Sequence, residues 1–156
     1  MRRKITIYLD TSVISALFDE RKPERMLWTQ EFWSFIDEFE IYISDVVIAE
    51  IGETPDPKLR RNMLEAVKGL NILEFNEEAE WLGNEYVRYE AIPERYRKDA
   101  FHLSIATVNE IDILLSWNYR HIVRRKTKKI VNLVNELYDY PALEIMTPPE
   151  ILGGGG

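Results

Sequence analysis

The 156-residue chain contains no cysteine. That excludes a disulfide framework and a thiolate metal site, and it fits a reducing cytoplasm. Long apolar runs are missing as well. No segment approaches the roughly 18–20 residues that span a bilayer. The stretch after the basic Met1-Arg2-Arg3-Lys4 is too short and too polar for the apolar core of a signal peptide. The expectation is a cytoplasmic protein with no membrane role. Histidine is scarce: His102 and His121 stand in separate segments, which argues against zinc. Basic residues are in deficit, with 20 Lys and Arg against 27 Asp and Glu and a net charge of −7. Taken alone, that charge argues against nucleic-acid binding, which usually needs a basic face.

What is present is an ordinary globular balance, 46% hydrophobic and 30% charged, at a length that suits one domain with one core. We place that domain at 1–152 and set aside the glycines at 153–156 as a flexible tail or an artefact. The basic residues are unevenly spread. Six of the 20 fall within residues 120–129, where no acid occurs, which leaves 14 against 27 elsewhere. Such a run is either a solvated helix face or a strip that contacts phosphates.

Apolar periodicity predicts strands at 4–9, 41–43, 71–75, 113–116 and 143–146, and helices at 13–18, 25–39, 46–53, 58–68, 77–89, 94–109 and 124–138. Ser44 or Asp45 and Asn76 are expected helix caps, Gly69 a helix stop, and Pro93 a helix start. Strands that alternate with helices imply an α/β fold, a parallel sheet covered on both faces.

In such sheets ligands bind at the carboxyl ends of the strands. Asp10 follows the first strand, where it either caps the next helix or serves a ligand. Glu50 shares a helix face with Val46 and Val47, and a carboxylate there needs a buried cation or a metal. Asp99 lies at a helix start and points along the stripe of Leu103 and Ala106. Three inward acids from separate segments repel one another, and an oxygen-preferring divalent ion, Mg²⁺ or Mn²⁺, removes that cost. Asn118 follows the strand at 113–116, as a weak ligand or a turn residue. Thr11 and Ser12 offer hydroxyls beside Asp10. His102, at i+3 from Asp99, either bonds it or is a satisfied half-buried side chain. Arg120, Arg124 and Arg125 begin the basic run next to Asn118 and are candidate phosphate contacts, with Arg95, Arg97 and Lys98 flanking Asp99. Asp112 precedes its strand and falls at the wrong end of the sheet.

Four segments in order, Ile7-Tyr8-Leu9-Asp10-Thr11-Ser12, Val47-Ile48-Ala49-Glu50-Ile51, Asp99-Ala100-Phe101-His102-Leu103-Ser104-Ile105-Ala106 and Leu114-Leu115-Ser116-Trp117-Asn118, resemble the PIN-domain family. Within it they resemble the VapC-like toxin nucleases of toxin–antitoxin pairs. The resemblance implies a parallel α/β/α sandwich, a Mg²⁺- or Mn²⁺-dependent ribonuclease, frequent homodimers and inhibition by a small antitoxin. By position it assigns Asp10, Glu50 and Asp99 to the acidic metal site. Asn118 departs from the pattern, because that position is often Asp, and one ligand charge is lost.

The leading expectation is therefore an endoribonuclease that acts on RNA through a metal-bound water. The alternative is a PIN-fold module that binds RNA or a protein without cutting. A haloacid-dehalogenase-type phosphatase ranks last, because it needs an acid two residues after Asp10, where Ser12 stands. The aromatic arc of the helix predicted at 25–39 (Trp28, Phe32, Trp33, Phe35, Ile36, Phe39) is wide enough to meet an antitoxin or a second subunit as well as the core.

Overall fold

The computed structural model describes residues 3–153. Met1, Arg2 and the glycines at 154–156 lie outside the described residues. Five strands, β1 (Thr6–Leu9), β2 (Glu40–Ser44), β3 (Asn71–Leu73), β4 (Ile113–Leu115) and β5 (Glu144–Met146), form one sheet in the order β3-β2-β1-β4-β5. Every neighbouring pair is parallel. Ile7, Tyr8 and Leu9 of the central strand are all fully buried, as a strand covered on both faces requires. Edge strand β3 instead leaves Ile72 exposed.

The helices are α1 (Thr11–Ala16), α2 (Pro23–Trp33), α3 (Asp45–Gly52), α4 (Pro57–Ala66), α5 (Glu77–Arg88), α6 (Arg97–Val108), α7 (Arg125–Leu137) and α8 (Pro148–Ile151). They pack in two groups, α1 to α4 and α5 to α7, with α8 on α2. The grouping follows the topology. Connections move first to one side of β1 and then to the other, and right-handed crossovers then place the two sets on opposite faces. Among the described residues no helix is long and apolar enough to cross a membrane.

Local chemistry explains most boundaries. Ser44 caps α3 by accepting the Val47 N–H at 3.3 Å, and Asn76 caps α5 by accepting the Ala79 N–H at 2.9 Å. Gly69 closes the turn after α4 with φ of 84°, a left-handed conformation that favours glycine. Two expectations need correction. The helix predicted at 25–39 ends at Trp33 and is followed by a 3₁₀ turn at Ile36–Glu38. Ser34 bonds back to the Glu31 carbonyl at 2.6 Å, and Phe39 stacks on Phe32 with centroids 6.0 Å apart. The aromatic spacing past residue 33 thus records a loop folded back over the helix. Helix α8 was not expected from Pro148-Pro149. Its signal is Thr147 with Glu150 three residues on, and the Glu150 carboxylate accepts from the Thr147 N–H (3.1 Å) and hydroxyl (2.9 Å).

On the aromatic arc, Phe32 is buried, Trp28, Trp33, Ile36 and Phe39 pack partly against the core, and Phe35 is exposed. Leu27 on the same helix is 62% exposed.

Candidate active site

The sheet order reverses direction at β1: β2 and β3 lie to one side, β4 and β5 to the other. Such a reversal opens a crevice at the carboxyl ends of the two central strands. Asp10 leaves β1 and Ser116 leaves β4 at that point. The Asp10 N–H donates to the Leu115 carbonyl at 3.3 Å, and the Ser116 hydroxyl donates to Asp10 Oδ2 at 2.5 Å. Ser12 donates to Oδ1 at 2.6 Å and accepts the Trp117 N–H at 2.9 Å. Asp10 occupies the N-cap position of α1, yet its carboxylate forms no capping hydrogen bond; the Val13 N–H contributes only slightly. The capping role left open by the sequence is therefore not what holds this side chain. Asp10 is 3% exposed. Burial pushes its pKa up, against the charge of His102 and the two serine hydroxyls.

Glu50 comes from α3 and reaches the same crevice. Its Oε1 accepts from Thr11 at 2.7 Å and pairs with His102 Nε2 at 2.7 Å. His102 is 2% exposed, and its Nδ1 meets the Tyr8 hydroxyl at 2.7 Å, which in turn meets Ser44 at 2.8 Å. Burial alone would lower the pKa of His102, but Glu50, Asp10 and Asp99 together raise it. Burial would likewise raise Glu50, and its bond to His102 reverses this, so that Glu50 sits below its ordinary value. Of the two partners the sequence left open for Glu50, a buried side chain or a metal, the structure shows a buried side chain, His102. His102 bonds Glu50 and Tyr8 and makes no hydrogen bond to Asp99, three residues away on α6.

Asp99 stands in the first turn of α6, where the helix dipole favours an anion. Its Oδ2 accepts from Asn118 Nδ2 at 3.3 Å and lies 3.4 Å from His121 Nδ1. Burial raises the Asp99 pKa to about 6, with further upward pushes from Asp10 and Glu50. Asn118 serves a turn as well, since its Oδ1 accepts the His121 N–H at 2.9 Å. His121 stacks on Tyr96 with centroids 3.9 Å apart. Its pKa is lowered by burial and by Arg124 and Arg120 nearby. The two histidines, far apart in sequence, both reach the carboxylates.

Asp99 feels the charges of both Asp10 and Glu50, and each acid keeps its own donors. Among the described residues no buried side-chain nitrogen or oxygen lacks a partner, and no three acidic or histidine side chains stand close enough to hold an ion as they are. The chemistry of the donor set still suits a hard divalent cation: carboxylates, an amide and hydroxyls, with no thiolate. The raised pKa of Asp99 comes from burial first and from the charges of Asp10 and Glu50 after it, and a bound cation would offset both.

Arg120 is exposed, and its charge is felt at His121, as is that of Arg124. Arg125 is exposed and makes no ion pair among the described residues. Lys98 lies 3.9 Å from Glu53 and helps hold Glu50 down. Asp112 is at the far end of the sheet, paired with Arg3 at 2.9 Å. Ser116, His121 and the Tyr8–Ser44 pair were not anticipated as site residues. Ser116 carries a sequence signal, a hydroxyl at the end of an apolar strand, that gains meaning only when β4 is known to lie beside β1.

No curated protein matches the chain in sequence. Among solved structures, the chain is similar to that of VapBC2 from Rickettsia felis bound to a DNA fragment from their promoter. The identity is 13%, covering 92% of this chain and 98% of that one, with a TM-score of 0.58. It is also similar to Mycobacterium tuberculosis VapC20, a Sarcin-Ricin loop cleaving toxin. There the identity is 16%, covering 72% of this chain and 89% of that one, with a TM-score of 0.55. These likenesses concern the fold. The PIN domain model matches residues 7–126, a span that contains all four acidic and amide positions of the crevice, and the chain belongs to the PIN domain family.

Proposed function

We propose that this protein is a metal-dependent endoribonuclease and the toxin of a toxin–antitoxin pair. The observation that carries the reading is the convergence of Asp10, Glu50 and Asp99, from three separate elements, on the switch-point crevice of a PIN domain. Mg²⁺ or Mn²⁺ held by Asp10, Glu50 and Asp99 would lower the pKa of a water and offset charge on a phosphodiester. The chain's own groups have distinct tasks. Ser12 and Ser116 fix the Asp10 carboxylate. Thr11 and His102 hold Glu50. Asn118 orients Asp99. Arg120, Arg124 and Arg125 are assigned to RNA phosphates. The protein works in the cytoplasm, as a homodimer, inhibited by an antitoxin that uses the exposed part of the aromatic arc at Leu27 and Phe35. The two structural neighbours, a VapBC complex and a Sarcin-Ricin loop cleaving toxin, support the antitoxin and RNA parts of this reading.

A second reading, a PIN module that binds RNA or a protein with little catalysis, draws on one observation. His102 already occupies Glu50 Oε1, and among the described residues the acids are not gathered as ligands.

Incubation with single-stranded RNA separates the two. Cleavage that needs Mn²⁺ or Mg²⁺, stops with EDTA and is lost in Asp10→Asn supports the nuclease. Cleavage that survives both controls rules out the carboxylate site. RNA binding with no cleavage of any substrate favours the second reading.

A further inference from the structure

A cavity of ≈ 590 Å³ lies where the end of α5, the turn leading into α6 and the start of α7 meet. Arg88, Arg97, Arg124 and Lys126 line it, with two acids, Glu90 and Glu94. The pairing among them is uneven. Glu94 pairs with Arg97 at 3.3 Å, and Arg88 is taken by Glu85 at 2.8 Å. Arg124 and Lys126 have no acidic partner within ion-pair distance among the described residues.

Arg124 is nevertheless fixed in place. Its Nε donates to Thr127 Oγ1 at 2.8 Å and its Nη2 to the Ala91 carbonyl at 3.3 Å. Thr127 is buried, and its hydroxyl lies 2.6 Å from the His121 carbonyl and 3.0 Å from that of Ala91. A guanidinium held by neutral acceptors keeps its full charge and further N–H groups for an anion, and its rotamer is already ordered. The first turn of α7 adds to this. It has no acid and no side-chain cap, and its residues Arg125 and Lys126 are cationic. Cations there oppose the helix dipole, and a bound anion removes the conflict. A chain of contacts links the cavity to the carboxylates: Arg124 bonds Thr127, Thr127 bonds the His121 carbonyl, and His121 Nδ1 lies 3.4 Å from Asp99.

We infer that this cavity holds a backbone phosphate of the RNA strand, one that flanks the phosphodiester at the carboxylates, with Arg124 and Lys126 as the direct contacts. The inference rests on the RNA-directed part of the function proposed above. It keeps Arg124 from the expected set and adds Lys126; Arg120 and Arg125 line no part of the cavity. A contact of this kind is independent of base sequence and sensitive to salt.

Fluorescence anisotropy with a labelled single-stranded RNA in EDTA tests it without cleavage. Lys126→Glu touches no hydrogen bond among the described residues, so its thermal unfolding should match the wild type, which separates binding from folding. Arg124→Gln, combined with it, removes the second contact. The expected result is roughly a 3- to 10-fold loss of affinity for Lys126→Glu, more for the double variant. The log–log salt slope should fall by about 0.7 for the phosphate released. Unchanged affinity and slope in both variants overturn the inference. So does a wild type that binds inorganic phosphate through these two residues while RNA affinity ignores them, since the cavity then serves a free anion. Mn²⁺-dependent cleavage with unaltered binding in both variants refutes the cavity alone. Cavity-dependent binding with no cleavage refutes the nuclease alone.

Discussion

Asp99→Asn is expected to stabilise the protein in the absence of divalent ions. The Asp99 carboxyl is raised from 3.8 to about 6, by burial first and by Asp10 and Glu50 after it. At about 1.36 kcal/mol per pKa unit, that shift corresponds to about 3 kcal/mol at neutral pH. The side chain is 22% exposed, and solvent screening reduces the expected gain to about 1–3 kcal/mol. The amide keeps an oxygen for Asn118 and loses only the charge. Urea unfolding at pH 7.5 in EDTA measures the difference. The pH dependence supplies a second check. An acid whose folded pKa is raised binds its proton more tightly in the folded state, so folding stability falls as pH rises from about 4 to about 6. Wild type should show this contribution and the variant should have a shallower slope, since Asp10, also raised by burial, keeps its own share. His102 has the same sign: raised in the folded state, its contribution is complete below about 6.5 and is lost as pH climbs through its folded value. Glu50, lowered, acts oppositely and only below its ordinary range. Saturating Mn²⁺ should reverse the ranking, because an ion bound at the folded site stabilises the wild type more than the variant. A variant no more stable than wild type in EDTA, with the same slope between pH 4 and 6, would refute the argument that burial and neighbouring charge strain Asp99.

Other substitutions probe the supporting structure. His102→Ala removes the Nε2 partner of Glu50 and one of the two partners of the buried Tyr8 hydroxyl, which keeps Ser44, and should cost about 1–3 kcal/mol in urea unfolding. Asn118→Asp adds a carboxylate beside Asp99 and should tighten Mn²⁺ binding by calorimetry while destabilising the ion-free protein. Gly83→Ala would place a Cβ 2.5 Å from Phe101, whose ring packs on Phe75, so the α5–α6 contact should loosen by about 1–3 kcal/mol despite alanine's better helix propensity. Glu110 and Asp139 end α6 and α7 in the left-handed region, at φ of 55° and 62°. Glycine at either position should raise stability by about 0.5–1 kcal/mol, read as a higher urea midpoint with unchanged slope.

The sequence alone determined where the five strands and most of the helices lie and which acids face inward, because each rests on short-range chemistry. The run Ile7-Tyr8-Leu9 can only be a buried strand, Ser44 and Asn76 cap their helices with their own side chains, and a carboxylate on an apolar helix face at Glu50 demands a partner whatever the fold. The tertiary structure decided what that partner is. His102 meets Glu50 because β1 brings Tyr8 beneath α6 while α3 approaches from another segment, a contact between residues 52 positions apart. Ser116 reaches Asp10 only through the parallel pairing of β1 with β4. The aromatic spacing at 25–39 misled for a related reason: Phe39 returns to Phe32 by a turn and keeps helical spacing without a helix. Nor does residue order disclose that the cationic start of α7 closes a cavity with Arg88 and Arg97, which are about 30 positions away along the chain. Periodicity and capping act over a few residues and are written locally. The surroundings of a carboxylate depend on distances set by the whole sheet.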